Sequence, residues 1–120
     1  MKTALITGSA GFVGRHLVSK LQALDYAVVV SDAKLNCPMA EVLPSLYNWE
    51  PFDLVIHLAA NILDVNERMK GGVKMFEDIA LDLEMCQYVE RNPPREAFIA
   101  MSSCAVDYPD DPYSWVKLTL

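Results

Sequence analysis

A parallel α/β sheet with helices on both faces is the fold class this sequence predicts, and three observations predict it. Short apolar runs rich in β-branched residues alternate with stretches of 3.6-residue periodicity. Glycines crowd the first junction between the two kinds of segment, and prolines stand where helices should stop. Strands and helices in strict alternation require crossover connections, which makes the sheet parallel.

The first strand is "TALIT" (3–7), closed by Gly8, with the continuous apolar character of a strand buried on both faces. Residues 12–24 follow as a helix, with Val13, Leu17, Leu21 and Leu24 at helical spacing and Arg15, Lys20 and Gln22 turned away. "AVVVSD" (27–32) is a second strand. Residues 33–52 carry Pro38, Pro44 and Pro51, which predicts a loop and a short helix near 39–48. "DLVIHLAA" (53–60) is a third strand, followed by a loop with a possible helical turn. Residues 73–91 form a long helix whose line runs through Met75, Ile79, Leu83, Cys86 and Val89 or Glu90, and Pro93 and Pro94 end it. "AFIAMSS" (97–103) is a fourth strand. A last helix begins at 112, capped by Asp110 or Asp111 with Pro112 in the first turn.

The junction "TGSAGFVG" places Gly8, Gly11 and Gly14 between the first strand and the first helix. A glycine at a strand end permits a tight turn. A second lets a diphosphate approach the backbone, and a third lets helix and strand pack closely. The helix N-terminus adds free N–H groups and a partial positive charge. The spacing is GxxGxxG, so the generic GxGxxG dinucleotide pattern is not matched letter for letter. Asp32 strengthens the reading. It ends the second strand about 20 residues on, where a carboxylate accepts both ribose hydroxyls of an adenosine and repels a 2′-phosphate. NAD is therefore expected over NADP, although Lys34 softens that preference.

Composition narrows the function class. The 120 residues suit one domain, 52% are hydrophobic, and the net charge of −6 argues against a nucleic-acid surface. Cys37, Cys86 and Cys104 lie far apart with no CxxC, and His16 and His57 have no metal-ligand spacing, so no metal is expected. No segment reads as a signal peptide or a membrane span. A cytoplasmic, soluble protein is the expectation.

With "TGSAGFVG", Asp32, "DLVIHLAA", "AMSSCAV" and "YSWVK" in this order, the chain resembles the extended short-chain dehydrogenase/reductase family. Within it, the NAD-dependent epimerase/dehydratase branch, which acts on nucleotide-diphosphate sugars, is the nearer likeness. The resemblance implies a Rossmann-type doubly wound sheet. It implies that Gly8, Gly11, Phe12, Val13 and Gly14 line the diphosphate and that Asp32 holds the adenosine ribose. Leu58, Ala59 and Ala60 would lie along the NAD at their strand's end, with His57 packed beside them. Ser103, Tyr113 and Lys117 match the family's serine, tyrosine and lysine.

Their chemistry explains the residue types. A hydride leaves or joins a sugar carbon only if a proton moves at the attached oxygen. A free phenol, with a pKa of about 10, is a poor base at neutral pH, but an ammonium four residues on along the same helix face favours the phenolate. Tyr113 would then be base and afterwards acid. Lys117 would tune it and hold a ribose hydroxyl, and Ser103 would orient the substrate.

The chain also departs from the family. Only residues 104–112 separate Ser103 from Tyr113, a shorter excursion than usual. The additional strand expected between Asp32 and Asp53 is not evident. Asp78 stands where the family commonly has Asn, and Leu81 where it commonly has Gly. Family members continue beyond the position of Leu120 with further strands and a substrate-binding part, so residues 1–120 are expected to be the N-terminal NAD(P)-binding portion of a longer enzyme. The alternatives are an NADP-dependent carbonyl reductase of the same family and a non-catalytic NAD-binding module. A homodimer through the helices at 73–91 and 112–120 is the expected assembly.

Overall fold

The computed structural model describes residues 1–60 and 73–101. The elements in chain order are β1 (Thr3–Thr7), α1 (Phe12–Ala23), β2 (Ala27–Ser31), a 3-10 turn (Ala33–Leu35), α2 (Met39–Leu46), β3 (Leu54–His57), α3 (Val73–Arg91) and β4 (Ala97–Ala100). The strands form one sheet in the order β2-β1-β3-β4. Every pairing is parallel, with Leu5 opposite Val29 and Val55, and Val55 opposite Phe98. The Rossmann-type doubly wound expectation is met.

Alternation along the strands divides the core in two. Leu5 and Val55 point to the face covered by α2 and α3, where they pack with Met39, Leu43, Leu46, Phe52, Met85 and Tyr88. Ala4, Ile6 and Ile56 point to the other face and meet Leu21 of α1, with Leu17, Val18 and Leu58 packed around them. Burying both faces explains why these strands read as unbroken apolar runs.

Three expectations need correction. The strand expected over 53–60 stops at His57: the Leu58 N–H still bonds the Thr7 carbonyl at 3.1 Å, but the Ala59 N–H turns to the Thr7 hydroxyl at 3.2 Å and the ladder ends. The helix over 73–91 has the expected bounds but not the expected face. Leu83 is 58% exposed and Cys86 is exposed, while the buried line runs through Asp78, Asp82, Met85 and Tyr88. In α1 the inward residues are Leu17, Val18 and Leu21, whereas Val13 and Leu24 are exposed.

Other details follow the sequence. α2 is short and holds Pro44, whose missing donor removes one bond from the helix. No strand forms between Asp32 and Asp53; a single antiparallel bridge joins Asp32 to Cys37. At the end of α3, Asn92 donates from both its backbone N–H and its side chain to the Tyr88 carbonyl before the two prolines. The amino ends of β1 and β3 are tied by Asp53, whose Oδ2 accepts from the Thr3 N–H at 2.8 Å. Among the described residues no helix is long and apolar enough to cross a membrane.

Candidate dinucleotide site

The order β2-β1-β3-β4 reverses direction at β1. α1 leaves β1 on one face and α3 leaves β3 on the other, so the carboxyl ends of β1 and β3 open a crevice between them. Ligands of doubly wound sheets bind at such a switch point.

The three glycines have three different reasons to be glycine. Gly8 sits at φ 69°, the left-handed region, and its N–H donates to the Ser31 carbonyl at 2.8 Å. A Cβ on it would stand 2.7 Å from the carbonyl carbon of Leu58 and 2.8 Å from the Ala59 nitrogen, so the segments that leave β1 and β3 touch backbone to backbone. A Cβ on Gly14 would come within 2.3 Å of the Gly8 oxygen, which presses α1 onto the loop. Gly11 is different. Its Cβ would meet nothing nearer than the Gly8 oxygen at 3.4 Å, so the space beside it is open. That is the cradle a diphosphate needs: one glycine closes the turn, one admits the helix, and one leaves room.

Above this cradle stands the N-terminus of α1. Gly11 is its N-cap, no side chain caps it, and no acidic residue occupies its first turn. Its leading donors are left to an anion. Phe12 is 71% exposed at the mouth and Val13 is also exposed. The Phe12 ring lies edge-on to His16 at 5.1 Å and beneath the Arg15 guanidinium at 5.4 Å.

Asp32 lies where the sequence places it, and its setting is more specific than expected. Its Oδ2 accepts from the Ala10 N–H at 2.9 Å, joining the end of β2 to the glycine loop. Its Oδ1 accepts from the Lys34 N–H at 2.9 Å and caps the 3-10 turn. Each carboxylate oxygen has two acceptor sites, so one on each is left for ribose hydroxyls. The open side of Gly11, the uncapped helix and this half-committed carboxylate fit an adenine dinucleotide.

Leu58 and Ala59 lie at the crevice floor, half-buried, and Ala60 is exposed. Leu58 also packs with the α1 core and Ala59 with the α2/α3 core, so both carry structure as well as lining. Beneath them is a polar line the sequence analysis did not find. The Thr7 hydroxyl lies 2.7 Å from His57 Nδ1, and His57 Nε2 lies 2.8 Å from Asp82 Oδ1, all of it buried. The available signal was Asp78 and Asp82 four apart on a helix with a polar residue ending the facing strand. Ser103, Tyr113 and Lys117 lie outside the described residues, as do Cys104 and the helix expected over 112–120. Cys37 and Cys86 are free thiols. Among the described residues no group of His, Cys, Asp and Glu is placed to hold a metal ion.

The pattern of the NAD dependent epimerase/dehydratase family matches residues 4–115. The chain belongs to that family. Solved structures of its members superpose closely. The UDP-Glc/GlcNAc 4-epimerase of Campylobacter jejuni matches with a TM-score of 0.79 at 20% identity, over 98% of this chain and 46% of that one. The UDP-glucose 4-epimerase of Thermotoga maritima with UDP-glucose gives 0.78 at 19%, over 98% and 48%. That of Brucella ovis in complex with NAD gives 0.79 at 19%, over 99% and 45%. At these identities the likeness shows the fold. The chain spans a little under half the length of these structures. None of the curated proteins matches it.

Proposed function

We infer that this chain is the NAD-binding part of an epimerase or dehydratase that acts on a nucleotide-diphosphate sugar by transient hydride transfer. The observation that carries this reading is the Asp32 carboxylate, fastened to the glycine loop through Ala10 and keeping one acceptor site on each oxygen. Gly8, Gly11 and Gly14 with the backbone of Phe12 and Val13 would hold the diphosphate. Asp32 would hold the adenosine ribose, and Leu58, Ala59 and Ala60 would border the cofactor. A carboxylate at that place repels a 2′-phosphate, which disfavours the NADP-dependent reductase reading.

When bound, NAD supplies a centre that accepts a hydride and returns it. The chain's own residues would handle the proton. The Tyr113 phenolate would take it from the sugar hydroxyl and the resulting phenol would later give it back, the Lys117 ammonium would favour the ionised form, and the Ser103 hydroxyl would orient the substrate oxygen. Returning the hydride to the opposite face of the carbon would make the reaction an epimerisation, an isomerase activity.

A homodimer through α3 and the segment 112–120 belongs to this proposal. Its support is that Phe76 and Leu83, 65% and 58% exposed, stand a heptad apart on the outer side of α3. A cytoplasmic site of action fits the unbridged thiols of Cys37 and Cys86. The test is Tyr113→Phe in the full-length protein. Turnover of the sugar nucleotide should fall by about 10²-fold or more while NAD⁺ binding is retained. A full-length protein that binds NAD⁺ and turns over no sugar nucleotide would favour the non-catalytic module.

A further inference from the structure

Donor and acceptor counts fix the state of the buried line beneath the crevice. The Thr7 oxygen receives two N–H groups, from Leu58 at 3.1 Å and Ala59 at 3.2 Å, and these fill its two acceptor sites. Its own proton therefore goes to His57 Nδ1 at 2.7 Å. His57 is then the tautomer with its proton on Nε2, donated to Asp82 Oδ1 at 2.8 Å. Thr7 and His57 are register partners at the ends of β1 and β3. Asp82 reaches them from α3, and its Oδ2 is buried with no partner among the described residues. A carboxyl half-satisfied in the interior is costly to keep.

We propose that Asp82 is a positioning residue for the dinucleotide site, acting through the His57 tautomer on the backbone at Leu58 and Ala59. Without an acceptor on α3, the Nε2 proton is stranded and the imidazole moves its proton to Nδ1. Nδ1–H then points at the Thr7 oxygen, the hydroxyl must turn its own proton away from the ring, and its two lone pairs no longer meet both amides. The Leu58 N–H is also held by the Thr7 backbone carbonyl at 3.1 Å and stays protected, whereas among the described residues the hydroxyl is the one acceptor of the Ala59 N–H, so the weakening shows there. The floor against which Gly8 is packed then loosens at Ala59. The step from there to cofactor affinity rests on the NAD reading above.

Three readouts on the whole chain test this: the His57 ring-nitrogen resonances, amide hydrogen exchange at Leu58 and Ala59, and titration with NAD⁺. In the wild type the Nε2 proton is expected. Asp82→Val fills the space but offers no acceptor. It should move the proton to Nδ1 and speed exchange at Ala59 by roughly tenfold, the loss of about one hydrogen bond, while leaving Leu58 within about twofold. NAD⁺ affinity should weaken several-fold. Asp82→Asn keeps an acceptor oxygen and should preserve all three. A wild-type His57 protonated on Nδ1 would overturn the proposal, as would a folded Asp82→Val with wild-type exchange at Ala59 and wild-type affinity. If Asp82→Val does not fold, the wild-type tautomer and Asp82→Asn decide the matter. Failure of the wild type to bind NAD⁺ would instead sink the cofactor reading and leave the tautomer and exchange results standing.

Discussion

The two ends of the parallel sheet differ in how far their polar groups are committed. At the amino end, Asp53 bonds the Thr3 N–H at 2.8 Å and lies 3.9 Å from Arg95, and the Arg95 and Glu96 N–H groups close on the Phe52 and Asp53 carbonyls. Lys2 pairs with Glu96, whose hydrogen bond and charge raise the lysine pKa above its ordinary value. At the carboxyl end, α1 is uncapped, Asp32 has acceptor sites to spare, and Asp82 Oδ2 and the Ser9 hydroxyl are buried without partners among the described residues. One end is closed on itself, and the other keeps capacity in reserve. Polar groups at the amino end pair with one another, and at the carboxyl end the uncapped helix and Asp32 keep hydrogen-bonding capacity that a ligand can use.

The contrast can be broken most severely at Gly14. Gly14→Ala forces a Cβ to 2.3 Å from the Gly8 oxygen, and overpacking of this kind should cost about 3 kcal/mol, visible as a lowered urea midpoint. Asp32→Ala should weaken NAD⁺ binding by about 2 kcal/mol, the value of hydrogen bonds to a charged group, and should also lower the unfolding midpoint, because it frees the Ala10 and Lys34 N–H groups. Asp53→Ala should cost stability alone, about 1–2 kcal/mol from the orphaned Thr3 N–H, with NAD⁺ affinity unchanged by titration. If Asp53→Ala and Asp32→Ala shift both quantities alike, the two ends are not distinct.

The smallest effect belongs to α3, where Tyr88 packs against the sheet midway between its two ends. Burial, with a lesser contribution from Tyr47, raises the Tyr88 pKa above its usual value of 10. The folded state then holds that proton more tightly than the unfolded one. Stability from this group is fully present below about 10, the unfolded pKa, and is lost as pH rises toward the raised folded value. Tyr88→Phe should leave neutral-pH stability nearly unchanged and flatten the alkaline limb of the unfolding profile.

What was legible in the sequence was local. The glycines of "TGSAGFVG" and Asp32 stand out because a tight turn, a close helix and a strand-end carboxylate each leave a short signature. The structure shows the left-handed turn at Gly8 and the close approach at Gly14. The face of α3 was misread because Asp78 and Asp82 look like solvent-facing residues, and burying a carboxyl depends on a histidine distant in sequence. Counting apolar residues alone rotated the stripe toward Leu83 and Cys86. The end of β3 was set by a side chain on another strand, which no pattern within "DLVIHLAA" could reveal. The glycine loop and Asp32 therefore followed from neighbours in sequence, and the buried line only from neighbours in space.

The contact of Gly8 with the Leu58–Ala59 backbone, together with Gly14 pressed on the Gly8 oxygen, bears on the entropy of association. Three main-chain segments meet there with no side chains between them, and the Asp32–Ala10 bond fastens a fourth. A receptor this rigid loses little conformational freedom when a ligand arrives, so more of the contact energy appears as affinity.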